Sequence, residues 1–110
     1  MTLSTATVTG TVLLPDDTAL STVDRIEFTL SGVETDTITI LPETVSADVD
    51  ENGDFSVSLW PNGSGSRGTS YAVAAVITEN DGQYERKVQL GTVTVASATT
   101  YTLAELLDAS

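Results

Sequence analysis

The residues best placed to do chemistry lie in Asp48-Val49-Asp50-Glu51-Asn52-Gly53-Asp54. Acidic or amide side chains at alternate positions ahead of a glycine match the first half of an EF-hand loop, whose oxygens ligate calcium. The match then stops. The closing position, which requires a bidentate glutamate, is Leu59, and the flanking residues alternate as strands do. An acidic β-turn with no metal bound is the expectation.

Catalytic chemistry finds little else to use. The chain has no histidine and no cysteine, which excludes imidazole bases, thiolate nucleophiles, Cys/His zinc sites and disulfides together. Serine and threonine hydroxyls therefore lack a histidine base, and no Ser-x-x-Lys stands in for one. The run Gly63-Ser64-Gly65-Ser66-Arg67-Gly68 is glycine-rich but has neither the lysine nor the following helix of a phosphate-binding loop. Carboxylates are plentiful, yet nothing in their spacing sets two of them across a cleft for glycoside hydrolysis. A protein that is not an enzyme and carries no cofactor is expected.

The charge balance points the same way. Sixteen acids stand against Arg25, Arg67, Arg86 and Lys87, for a net charge of −12. A phosphate backbone would be repelled, as would an anionic bilayer, so neither nucleic acid nor membrane is an expected partner. No apolar run reaches the roughly 18 residues of a membrane span. The start, MTLSTATVTG, has no basic or apolar region of a signal peptide, and synthesis in a cytoplasm is expected.

The elements that would position any site read as strands. Threonine and valine recur, and β-branched side chains pack well on a pleated surface. Residues 6–14 alternate Val8, Gly10, Val12 and Leu14 with Thr7, Thr9, Thr11 and Leu13 before a turn at Pro15-Asp16-Asp17. Further runs follow at 23–31 (Ile26, Phe28, Leu30 inward), 36–41 (Ile38, Ile40) and 43–49 (Val45, Ala47, Val49). Asn52-Gly53 then signals a hairpin turn. From Asp54, Phe55, Val57 and Leu59 share one face while Ser56, Ser58 and Trp60 share the other. Tyr71 to Ile77 is apolar at nearly every position and reads as a central strand covered on both faces. A turn at Glu79-Asn80-Asp81-Gly82 leads to strands at 84–90 and 92–96. Only residues 101–108 favour a short helix. One domain over 1–110 is expected: an all-β antiparallel sandwich of seven or eight strands, with Val73 and Ile77 joining the core.

Two stretches, VTGTVLLPDDTALSTVDRIEFTL and VDENGDFSVSL, resemble the transthyretin-like or carboxypeptidase-regulatory-like (Ig-like) sandwich, with Asp50, Gly53 and Phe55 matching its Asp-x-x-Gly-x-Phe motif and Asp17 replacing the usual turn glycine. Leu59-Trp60-Pro61-Asn62, the glycines after it and the terminal Leu103–Leu107 segment are similar to a small module of tailed-bacteriophage virion proteins. That resemblance implies a structural subunit of the virion whose partners are the major capsid protein or other virion proteins, and a homo-oligomer on the particle. A chain of this length fits a capsid decoration (cement) protein. The alternative is a tail-fibre or tail-adaptor attachment module, though a tail fibre would continue into a repetitive shaft; a further alternative is an adhesion or carbohydrate-binding domain, against which the missing signal peptide argues.

The residues expected to touch a partner are Trp60 at the mouth of the loop 61–69, Arg67 within it, and Leu103, Leu106 and Leu107 on one face of the C-terminal helical turn. The alternatives are that Trp60 closes the end of the sandwich and that the leucines fold back onto it.

Overall fold

The computed structural model describes residues 4–12, 23–36, 38–79 and 84–109. The turns expected at Pro15-Asp16-Asp17 and Asn80-Asp81-Gly82, and the inward Leu14, lie outside them. Among the described residues, nine strands and an α-helix follow in order: β1 (Ala6–Thr11), β2 (Val23–Leu30), β3 (Glu34–Asp36), β4 (Ile38–Ile40), β5 (Thr44–Asp48), β6 (Asp54–Leu59), β7 (Tyr71–Glu79), β8 (Tyr84–Val93), β9 (Thr100–Thr102) and α1 (Leu103–Asp108). They form a three-stranded sheet β6-β1-β9, a four-stranded sheet β5-β2-β7-β8 and a β3-β4 hairpin.

The core lies between the two larger sheets, where period-two alternation sends one face of each strand inward. On β1 and β6, Ala6 stands opposite Leu59, Val8 opposite Val57 and Gly10 opposite Phe55. Facing them are Ile26, Phe28 and Leu30 of β2 and Val73, Ala75 and Ile77 of β7, all buried. The rings of Phe28 and Phe55 meet across the sheets, centroids 6.4 Å apart. Gly10 makes room for that contact, because a Cβ there would stand 2.8 Å from the Phe55 ring.

Several strands depart from the sequence expectation. The run at 36–41 is a hairpin, with Glu34 paired to Ile40 and Asp36 to Ile38. The strands expected at 84–90 and 92–96 are one strand, β8, carrying a bulge at Gly91, whose φ of 144° suits glycine. The antiparallel expectation fails once: β1 pairs with β9 in parallel, because the chain reaches β9 by crossing from the other sheet. Residues 101 and 102, expected to be helical, belong to that strand.

Asp50–Gly53 is a turn, but not a hairpin. Gly53 N–H bonds to Asp50 C=O at 3.0 Å with Gly53 at φ 85°, yet β5 belongs to one sheet and β6 to the other. The turn carries the chain from sheet to sheet.

β7 is central, though only one of its faces meets another sheet. On the other, Ala74 and Val76 are buried beneath long charged side chains. Arg25 bonds Glu27 at 3.1 Å and Glu85 at 3.2 Å, and Lys87 bonds Glu27 at 3.0 Å. Their aliphatic stems cover the apolar surface while the heads stay wet. The hydrogen bond from Lys87 does most to hold Glu27 below the usual carboxylate range; burial opposes it and the bond from Arg25 adds to it.

Helix α1 is short but well started. Thr102 Oγ1 accepts from Glu105 N–H at 3.2 Å, and Thr102 N–H donates to the Glu105 carboxylate at 3.2 Å, a reciprocal capping box. Because Phe55 joins the two sheets, Phe55→Ala is expected to lower stability by about 3–5 kcal/mol in a denaturant titration, the range for truncating a buried phenylalanine.

Candidate functional site

One end of the sandwich is built around a carboxylate. Glu34, on β3, is fully buried. No described cation pairs with it; backbone and hydroxyl donors surround it instead. Its Oε1 accepts from Ser66 N–H at 3.2 Å, Arg67 N–H at 3.0 Å and Thr35 N–H at 3.3 Å. Its Oε2 accepts from Thr69 Oγ1 at 2.9 Å, Arg67 N–H at 3.2 Å and Thr69 N–H at 3.4 Å. Gly68, at φ 69°, turns the chain so that Thr69 returns to the same carboxylate. Successive amides converging on one anion form a nest, which substitutes for water around a buried charge.

Burial pushes the Glu34 carboxyl up, but the Thr69 hydroxyl and the amides of Thr69, Arg67 and Thr35 outweigh it and hold the group below the usual carboxylate range. Gly65 lets the loop come this close: a Cβ there would stand 2.5 Å from Glu34 Cδ and 2.7 Å from Trp60 Cη2.

The rest of the loop is tied down as firmly. Asn62 Nδ2 donates to Thr69 Oγ1 at 3.2 Å, and Asn62 Oδ1 accepts from Val95 N–H at 2.9 Å. A Cβ on Gly63 would stand 1.9 Å from Ala96 O, so this glycine too allows a close approach. Burial pushes the Tyr71 phenol up to about 12, keeping it a donor to Trp60 C=O at 2.6 Å.

This geometry sorts the expected contact residues. Trp60 is buried, and its Nε1 donates to Asp36 Oδ2 at 2.9 Å. Arg67 is exposed on the loop surface, and among the described residues its guanidinium has no ion-pair partner. Leu103 and Leu106 are buried against the chain's own sandwich and Leu107 is half-buried. Thus α1 folds back. Gly91 leaves space for it, since a Cβ there would stand 3.0 Å from Leu107 Cδ2.

The acidic turn uses its own oxygens. Asp50 Oδ1 accepts from Asn52 N–H at 2.9 Å and Asp54 N–H at 3.0 Å, and the Asp54 carboxylate accepts from the Thr11 hydroxyl. Beside α1 an open groove of about 900 Å³ runs between β1 and β8. Its walls are Phe55, Ala75, Ile77, Val88, Leu90 and Leu107, with Asp54 and Arg86 also lining it.

The sequence reading missed Glu34, and it missed the exposed apolar group. Among the described residues the exposed large hydrophobic side chains are Val33 (42%), Ile38 (36%), Leu41 (60%) and Val45 (38%), all within thirteen positions of one another. Glu34, Asp36, Ile38 and Ile40 occupy the hairpin face turned toward the domain, where Ile38 stays 36% exposed, so Val33 and Leu41, one position beyond the strand ends, flank Thr35 and Thr39 on the opposite face. Glu34 stands between Ser31-Gly32-Val33 and Thr35-Asp36-Thr37, and nothing in that local sequence signals its burial.

No protein-family model matches this chain, and no curated protein matches it in sequence. Function therefore has to be argued from the geometry.

Two outcomes test the nest. A carboxyl with a depressed folded pKa contributes stability above its unfolded pKa, and that contribution is lost as pH falls through the folded value. The melting temperature of the native protein is thus expected to drop as pH falls from the usual carboxylate range to below it. Glu34→Gln is expected to melt lower at neutral pH and to flatten that drop. Separately, Gly65→Ala is expected to lower stability by about 1–3 kcal/mol, the usual cost of overpacking, in chemical denaturation.

Proposed function

We propose that this chain is a non-enzymatic structural subunit of a tailed-bacteriophage virion, a decoration protein seated on the outer surface of the head. The observation that supports this reading is that, among the described residues, the exposed large hydrophobic side chains all fall within residues 33–45, on a chain of net charge −12. Acidic side chains keep most of the surface hydrated and apart from other acidic bodies. An apolar group within such a surface favours one docking orientation and excludes water there.

In this reading the hairpin face carrying Val33 and Leu41 meets the capsid, and Arg67 adds a charged contact to an acidic group on the shell. The role expected for Trp60, Leu103 and Leu106 passes to these residues, because the former are consumed by the fold. The nest around Glu34 keeps the Arg67 loop in one shape, which lowers the conformational cost of binding. A tail location would use the same surface on a different neighbour. The sugar-binding alternative loses support, since the chain's only tryptophan is in the core.

Purified particles test this. The protein is expected in the virion at a fixed ratio to the capsid subunit. Leu41→Asp and Arg67→Glu are each expected to lower its occupancy on particles stripped of it and then re-mixed, with the melting temperature of the free protein unchanged. Absence of the protein from virions, or unchanged occupancy in both variants, would refute the proposal.

A further inference from the structure

Strand β5 is an edge of the four-stranded sheet, and it lacks the usual defences of an edge. The opposite edge, β8, carries Glu85, Arg86 and Lys87 and is broken by the bulge at Gly91. By contrast β5 reads Thr44-Val45-Ser46-Ala47-Asp48, regular throughout and with a single charge at its end.

The hydrogen bond from Leu30 N–H to Glu43 C=O, 3.2 Å, fixes which groups of β5 are free. In an antiparallel ladder, residues alternate between turning both backbone groups to the neighbour and turning both away. Glu43 faces β2, so Val45 and Ala47, opposite Phe28 and Ile26, face β2 as well. The amides and carbonyls of Thr44, Ser46 and Asp48 then point outward, and no described strand pairs with them.

We infer that β5 pairs with β5 of a second copy of this chain, antiparallel, across a two-fold axis at Ser46. Of the registers centred on a residue whose backbone groups face outward, this one fits two identical strands best. Centred on Thr44, it would set Pro42, which has no N–H, opposite Ser46. Centred on Asp48, it would set two carboxylates against each other. Centred on Ser46, it places Thr44 opposite Asp48 of the second copy, Glu43 opposite Val49, Asp50 opposite Pro42 and Glu51 opposite Leu41. No acid faces an acid.

The pairing joins two four-stranded sheets into one continuous sheet. It also sets Val45, 38% exposed on the inner face beside Phe28, against Ala47 of the second copy. The inference deepens the virion reading by naming the self-contact of the proposed oligomer. It concerns the free protein, so it stands or falls apart from binding to particles.

Sedimentation of the free protein is the first test. Twice the chain mass is expected at high concentration, falling to the monomer on dilution. Added salt is expected to favour the dimer by screening two bodies of charge −12. Ser46→Pro is expected to remain folded, because the lost N–H points off the sheet, and to be monomeric at every concentration.

A cysteine variant covers the case in which that proline unfolds the chain. The wild type has no cysteine, so Ser46→Cys carries a sole thiol. A hydrogen-bonded antiparallel pair holds its Cα atoms about 5.5 Å apart, within disulfide reach. Ser46→Cys is expected to form a covalent dimer rapidly in mild oxidant, and Ser58→Cys, on the exposed face of β6, only slowly. A wild type that stays monomeric throughout, a folded Ser46→Pro that still dimerises, or equal cross-linking of the two cysteine variants overturns the inference.

Discussion

A carboxylate removed from water must find its hydration replaced, and in this protein the replacement comes from the backbone of a single loop. Glu34 draws in the amides of Ser66, Arg67 and Thr69, and Thr69 in turn accepts from Asn62. Asn62 bonds Val95 on the far side, and Tyr71 holds Trp60 from within. The β3-β4 hairpin, the loop 61–69 and the segment after β8 are thereby fastened to one another at the same end. Three short pieces of backbone that would otherwise be free to move become a continuation of the core. Because the charge is met by dipoles and not by a cation, salt screens the arrangement little, whereas protonation weakens it.

The two lateral sides of the sandwich are finished differently. On one, α1 bridges from β1 and β9 to β8, with Gly10 and Gly91 giving the space its leucines need. On the other, the chain passes from β5 to β6 through Asp50–Gly53, and the edge of β5 is left bare. Surface chemistry follows that asymmetry. Charged residues cover the outer face of β7 and guard β8, while among the described residues the exposed large hydrophobic side chains gather around the hairpin and on β5. A surface divided in this way separates a solvated region from one suited to contact, which is the property the virion proposal and the self-pairing both draw on.

Much of the core was legible in the sequence, because period two needs no tertiary information. Ile26, Phe28, Leu30, Phe55, Val57 and Leu59, read as inward from alternation, and Val73 and Ile77, read from an apolar central run, are all buried. The glycine-rich loop was legible as a loop but not as a structure. Glycine in a sequence looks like freedom; here Gly63 and Gly65 are sites of close contact, which only the approaching Ala96 and Glu34 reveal. Trp60 was assigned to the outer face by strand parity, yet β6 ends at Leu59 and the ring turns inward to Asp36.

By itself, then, the sequence determined the fold class, the faces of the long strands, the acidity of the surface and the lack of thiol or imidazole chemistry. All of these follow from residue type and local spacing. The tertiary structure alone decided which strands share a sheet, where α1 docks, that Glu34 is caged and that, among the described residues, the exposed large hydrophobic side chains lie at 33–45. Each of those depends on pairs far apart in the chain: thirty-three positions separate Glu34 from Arg67, and forty-three separate Thr11 from Asp54. Local spacing carries no record of such pairs, because their energy exists only once the chain has brought them together.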